Sequence, residues 1–186
     1  MVLEPPAITF IPCEEHFRPV LPTIEGNVDY LALRGQLTTM DELLCASGVE
    51  NDFVARSLKH WIKTLTQNKI EQIELSGEGQ CGVIELEDLV RGGQQERFQQ
   101  HSIRALRCTV ARTLLGESFR DFAARLADSP LLQWFCRVGQ LDRVKVPGKS
   151  TLQRYNNWLP EEELREVING LLRKAGAPYR RWQTGA

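Results

Sequence analysis

The sequence predicts a mainly α-helical protein, a helical bundle with helix-turn-helix-like elements and one small β-hairpin. Three observations predict it. Apolar residues recur at spacings of three and four over most of the chain, the pattern that lines one side of an α-helix. Serine, threonine and proline precede those stripes at helix-start positions, and glycine follows several of them. One stretch, from Lys69 to Leu89, changes to a shorter period around a glycine turn.

Residues 1–27 hold Pro5, Pro6, Pro12, Pro19 and Pro22 without a period and predict an extended arm. Thr39-Met40-Asp41-Glu42 fits a capping box, in which the threonine oxygen accepts from the Glu42 amide and the glutamate reaches back. Leu43 and Leu44 give that helix an apolar side, and Ser47-Gly48 ends it. Asn51 or Asp52 would cap a second helix carrying Val54, Leu58, Ile62 and Leu65. Two helices about a short glycine turn make residues 39–67 a helix-turn-helix candidate, although a plain helical hairpin has the same pattern. Ile70, Ile73 and Leu75, then Ser76-Gly77-Glu78-Gly79-Gln80, then Val83, Ile84 and Leu86 predict the hairpin. Arg91-Gly92-Gly93 reads as a linker. It divides an N-terminal part, residues 1–90, from a helical domain, residues 91–186.

The second part reads as nearly all helix. Phe98, Ile103, Leu106, Val110 and Leu114 form one stripe, and Gly116 stops it. Ser118 with Asp121 opens a helix bearing Phe119, Phe122, Ala123 and Leu126. Ser129-Pro130 is a cap followed by proline at the first helical position, where its missing N–H costs nothing. Leu131, Leu132, Phe135 and Val138 fill the buried side of that helix. Gly139 to Gly148 is a loop, and Ser150 with Gln153 would cap a short helix through Trp158. Pro160 and Glu161-Glu162-Glu163 open a last helix. Its Leu164, Val167, Ile168, Leu171 and Leu172 form the cleanest apolar face in the chain, and Gly176 and Pro178 terminate it.

Composition narrows the function. At 42% apolar and 25% charged residues the chain has the balance of a folded protein. No apolar run approaches the roughly 18 residues of a membrane helix. The N-terminus lacks the basic start and apolar stretch of a signal peptide. Five cysteines, at 13, 45, 81, 108 and 136, contain no CxxC spacing, which argues against a disulfide framework or zinc site. A soluble cytoplasmic protein is expected. The net charge of −1 conceals an asymmetry: residues 1–90 carry 6 of the 23 Lys+Arg and 15 of the 24 Asp+Glu, net −9, and residues 91–186 net +8. A basic half suits a phosphate partner, while two faces that attract each other within one fold would give the same asymmetry.

Catalysis and metal binding have little support. His16, His60 and His101 are widely separated, and His60 beside Trp61 reads as an ordinary side chain of its helix. Neighbouring glutamates on a helix diverge, so Glu161-Glu162-Glu163 reads as a helix-dipole charge and not a two-metal site. Gly77 and Gly79 lack the GKS/T ending of a phosphate loop. The better material lies after Gly139. Arg143, Lys145, Lys149 and Arg154 are candidates for phosphate, with Ser150 and Thr151 hydroxyls at a helix start. Gln153 and Asn157 are residue types that pair with base edges in a major groove. On a helix from Ser150, Leu152, Tyr155 and Leu159 would face the core while Gln153, Arg154 and Asn157 point outward.

These stretches carry a resemblance. Phe119-Arg120-Asp121-Phe122-Ala123-Ala124-Arg125-Leu126-Ala127-Asp128-Ser129 is followed by Leu132-Gln133-Trp134-Phe135-Cys136. Val146-Pro147-Gly148-Lys149-Ser150-Thr151-Leu152-Gln153-Arg154-Tyr155 comes next. The series, over about residues 97–175, resembles the N-terminal helical DNA-binding domain of bacterial insertion-sequence transposases of the DDE, RNase H-like class. Gly148-Lys149 stands where that family's pattern has Asp-His. The catalytic domain of such transposases follows the helical one, with three carboxylates holding two metals; no catalytic acid can be carried over to this chain. The resemblance implies a DNA-binding piece acting in DNA transposition and recombination without strand cleavage of its own, and needing no cofactor. Its partners would be double-stranded DNA at transposon-end inverted repeats and a second copy of the chain in a homodimer, with no membrane. The rival readings are a free-standing helix-turn-helix transcription regulator and a non-DNA interaction protein.

Overall fold

The computed structural model describes residue 21 and residues 23–76, 93–139 and 144–174. They form seven helices: α1 (Val28–Ser47), α2 (Val49–Ser76), α3 (Gly93–Leu115), α4 (Phe119–Asp128), α5 (Pro130–Phe135), α6 (Lys149–Asn156) and α7 (Glu161–Lys174). The mainly helical expectation holds. Among the described residues there is no strand, only an isolated antiparallel bridge between Gly139 and Val144. Nor is any described helix long and apolar enough to cross a membrane.

Helix α1 begins eleven residues before the expected box. Asn27 is its cap, with Oδ1 accepting from the Tyr30 amide at 2.9 Å. Thr39 lies mid-helix and exposed, so Thr39-Met40-Asp41-Glu42 caps nothing. Gly48, at φ 68°, ends α1 in the left-handed region, and α2 starts at the next residue rather than at Asn51 or Asp52. A single residue thus separates two long helices. The turn of a helix-turn-helix takes three or four, so the α1–α2 junction is shorter than that motif's turn.

The expected β-hairpin also changes. Helix α2 runs 28 residues to Ser76, so Ile70, Ile73 and Leu75 are helical; Val83, Ile84 and Leu86 lie outside the described residues. Ile70 and Ile73 are three apart, a spacing that fits a helix, and the lysine, glutamine and glutamates around them favour one. Gly93 belongs to α3 rather than to a linker, while Arg91, Gly92 and the proline-rich residues 1–20 lie outside the description.

From α3 onward the expected boundaries hold closely. Gly116, at φ 65°, follows α3. Ser118 caps α4, its Oγ accepting from the Asp121 amide, and Ser129 caps α5, accepting from the Leu132 amide, with Pro130 at the first helical position. Helix α6 differs in detail. Its N-cap is Gly148, and Ser150 sits inside the first turn. The apolar face of α7 is only partly buried: Val167 is sealed and Leu164 and Leu171 are half-buried, but Ile168 and Leu172 remain 45% and 40% exposed. The helix lies at the edge of the bundle, against α2 and α1, and cannot bury so wide a stripe.

Helix α3 is the hub, packed against α2, α5 and α6. Leu37, Leu44, Val49 and Phe53 from the acidic half join Leu106, Ala111, Phe122, Leu126, Leu132, Phe135, Leu152 and Val167 from the basic half in one hydrophobic core. Arg107 of α3 lies wholly inside it. Its Nη1 donates to Asp41 Oδ1 at 2.6 Å and to the Phe135 carbonyl at 2.9 Å, and its Nε donates to Glu50 Oε1 at 2.5 Å. Burial opposes the charge on Arg107, but the pull of Glu50 and Asp41 outweighs it and the pKa is raised. At this contact the acidic and basic halves attract each other within one fold. Among the described residues Cys45, Cys108 and Cys136 form no disulfide, and burial, aided by a hydrogen bond with Cys108, pushes the Cys136 thiol well up, so it is chemically quiet.

Candidate nucleic-acid interface

Helix α6 is short, and its packing decides what it can present. Leu152, Tyr155 and Leu159 are buried, as their spacing predicts. The Tyr155 ring meets Trp158 edge-on at 5.8 Å, and Trp158 Nε1 donates to Ser102 Oγ of α3 at 3.0 Å. Asn156 Oδ1 accepts from Arg112 Nη2 at 3.1 Å, while that guanidinium also covers the Phe119 ring at 4.4 Å. Two hydrogen bonds, Trp158 to Ser102 and Arg112 to Asn156, therefore tie one side of the α6 segment to α3, and the helix also packs against α4. Rigid seating of this kind suits a helix that must present side chains in a fixed register.

The outward side carries most of the sequence-predicted residues. Lys149, Ser150, Gln153, Arg154 and Asn157 are exposed, and Thr151 is half-buried. Lys145, just ahead of the helix, is exposed too; Arg143 lies outside the described residues. The Gly148 carbonyl accepts from the Thr151 and Leu152 amides at 3.0 Å, and no side chain caps the helix start. Arg154 Nη2 donates to Thr151 Oγ1 at 3.3 Å, which lays the guanidinium along its own helix toward that start. Exposed cations beside uncapped amides are an arrangement that receives phosphate oxygens.

The structure also joins α6 to residues that sequence reasoning passed over. Ser150, Gln153, Arg154, Asn157 and Trp158 form one wall of a groove of about 610 Å³, and Ser57, His60, Trp61 and Thr64 of α2 form the other, with Phe98 of α3 between. Trp61 stacks on Phe98 at 5.2 Å and 28°, and Phe98 meets Trp158 at 6.0 Å, so three rings run across the groove as a strip. Among the described residues that line it, none is acidic. Thr64 Oγ1 is engaged with the His60 carbonyl at 3.0 Å. Ser57 is 2% exposed, and its Oγ has no hydrogen-bond partner among the described residues. Trp61 and Trp158 are 97 positions apart in the chain, and no local pattern signals that they share a surface. The closest hint was the Trp61–His60 pair on a helix whose opposite side is apolar.

The described residues contain no group of three His, Cys, Asp or Glu side chains able to hold a metal ion. His101, exposed at the start of the α3 core segment, has its pKa lowered by partial loss of solvation first and then by Arg104 and Lys145. This local positive potential belongs to the same side of the sequence as the α6 cations. No family model, no curated protein and no solved structure matches this chain.

Proposed function

We propose that this chain binds double-stranded DNA through α6, as the recognition piece of an insertion-sequence transposase would at transposon-end inverted repeats. The observation that carries the reading is the two-sided build of α6: one side is fastened to α3 and α4, and the other exposes Lys149, Gln153, Arg154 and Asn157 together beside an uncapped helix start. The ordered resemblance over residues 97–175 supplies the target class. Lys145, Lys149 and Arg154 would act on phosphates, and Gln153 and Asn157 on base edges. Strand cleavage is assigned to no residue of this chain. The regulator reading, through residues 39–67, is less well supported because only Gly48 separates α1 from α2.

The test is fluorescence anisotropy with labelled duplexes, comparing inverted repeats that flank the reading frame with scrambled DNA over a range of salt. Arg154→Ala should weaken binding to every duplex and flatten the salt slope by about one phosphate. Gln153→Ala or Asn157→Ala should instead cut discrimination between end and scrambled DNA by about 1–3 kcal/mol. Folded variants that all bind like the parent would remove α6 from the role. Nicking of end DNA on addition of divalent metal would overturn the assignment of a purely binding function.

A further inference from the structure

We propose that the groove between α2 and α6 is a nucleotide site, in which a single unpaired base stacks on the Trp61–Phe98–Trp158 strip and its phosphate lies toward Arg154. Three features of the groove point to this chemistry. Its floor is aromatic, with ring centroids 5.2 and 6.0 Å apart, and flat π surfaces accept any base face. Its volume, about 610 Å³, falls among small-molecule sites and is far too narrow for a duplex to enter. Its charge is one-sided: Arg154 stands at the wall and no described lining residue is acidic, so an anionic ligand is favoured and an anion is what accompanies every base.

The polar groups agree with that ligand. Gln153 offers an amide with both donor and acceptor capacity to a base edge. Ser57 belongs to the α2 wall and carries a buried hydroxyl with no partner among the described residues, a cost that is relieved when a ligand brings an acceptor or donor to it. A purely apolar peptide segment would leave these groups unmatched, and an acidic peptide would leave the ring strip without a planar partner. The nucleotide can come from two sources, free in solution or unpaired within a DNA strand; only the second rests on the DNA-binding function proposed above.

The full chain would be titrated with labelled tetrathymidylate, with free thymidine monophosphate as competitor and with a fully paired duplex as a separate ligand. Saturable binding of the single strand is expected. Trp61→Leu should lower it roughly 5- to 150-fold, the range of one lost stacking partner, while Trp61→Phe keeps most of it. Competition by the free nucleotide would assign the site to soluble nucleotides as well as strands, and its absence would assign it to strands. In either case, irradiation of a bromouracil-bearing strand should cross-link at Trp61 or Trp158, read by peptide mass spectrometry. This readout does not depend on the Leu variant folding. No saturable binding of either ligand, equal binding by a folded Trp61→Leu protein, or cross-links elsewhere would each overturn the proposal. Duplex binding that persists through such a result leaves the α6 assignment standing, and single-strand binding without duplex binding separates the two the other way.

Discussion

Arg107 shows how strongly one residue can tie a fold together. Its guanidinium meets Asp41, Glu50 and the Phe135 carbonyl with no access to water. Arg107→Leu would take the guanidinium from buried Asp41 and leave Glu50 with the longer 3.7 Å contact to Arg137, and the expected loss is about 3–5 kcal/mol of unfolding free energy, read from a urea midpoint. A midpoint within error of the parent would show that the carboxylates find water or protonate at little cost. His101 makes a second prediction at this scale. Its native pKa is lowered, so the unfolded chain takes up the proton first as pH falls. The stability linked to the neutral ring is complete above the unfolded pKa of about 6.5 and is lost as pH drops through the lower native value. His101→Gln should flatten the fall in melting temperature between about pH 7 and pH 5. Neither behaviour could be seen in the sequence, where Arg107 is one of several arginines on a helix and His101 stands among polar neighbours.

At the scale of the element, helix ends were legible where the local chemistry is self-contained. Ser118 with Asp121, Ser129 with Pro130, and Gly116 each act within four residues, and each does what its pattern predicts. Thr39 to Glu42 misled because the residue types of a capping box also occur mid-helix, where Asp41 answers to Arg107, 66 positions away. The shorter period from Ile70 misled because three apolar residues cannot separate a strand from a helix turn. Two element-scale tests follow from the observed geometry. Gly48→Ala places a Cβ in the left-handed region at φ 68° and should cost about 1–2 kcal/mol. In α7, Val167→Ala should cost on the order of 2 kcal/mol because the side chain is sealed, while Ile168→Ala should cost about 1 kcal/mol or less because it is 45% exposed. Equal effects at Val167 and Ile168 would mean that the outer half of the face is covered in solution.

For the whole molecule, the charge asymmetry read from the sequence has a structural counterpart. Helix α3 from the basic half packs on α2 from the acidic half and sets Arg107 against Asp41 of α1 and Glu50 of α2, whereas the Arg56–Glu166 pair between α2 and α7, at 2.6 Å, has the reverse polarity. The orientation of α6 was legible, since Leu152, Tyr155 and Leu159 predict its buried side and therefore its exposed one. The groove was not, because it exists only when α2 and α6 are brought together across α3, and sequence periodicity carries no information about which helices become neighbours. The shared core predicts that residues 91–186 expressed alone will not unfold cooperatively. Their stretch would have to house Arg107 without either carboxylate and expose the surface now covered by Leu37, Leu44, Val49 and Phe53. A sigmoidal melt from that fragment, with helical circular dichroism like its share of the parent, would refute the dependence.

The Arg107 cluster also sets an order of events during synthesis. Asp41 and Glu50 leave the ribosome more than fifty residues before Arg107 does, so the α1–α2 pair emerges with both carboxylates still to be matched. Until α3 is made, burying either carboxylate without this partner carries the penalty of an unpaired charge. Arrival of Arg107 gives both carboxylates a shared guanidinium and brings the apolar side of α3 with it, and Arg137 adds a second cation 3.7 Å from Glu50. Chain order alone therefore makes this match a late one: neither carboxylate can meet Arg107 before α3 has been made.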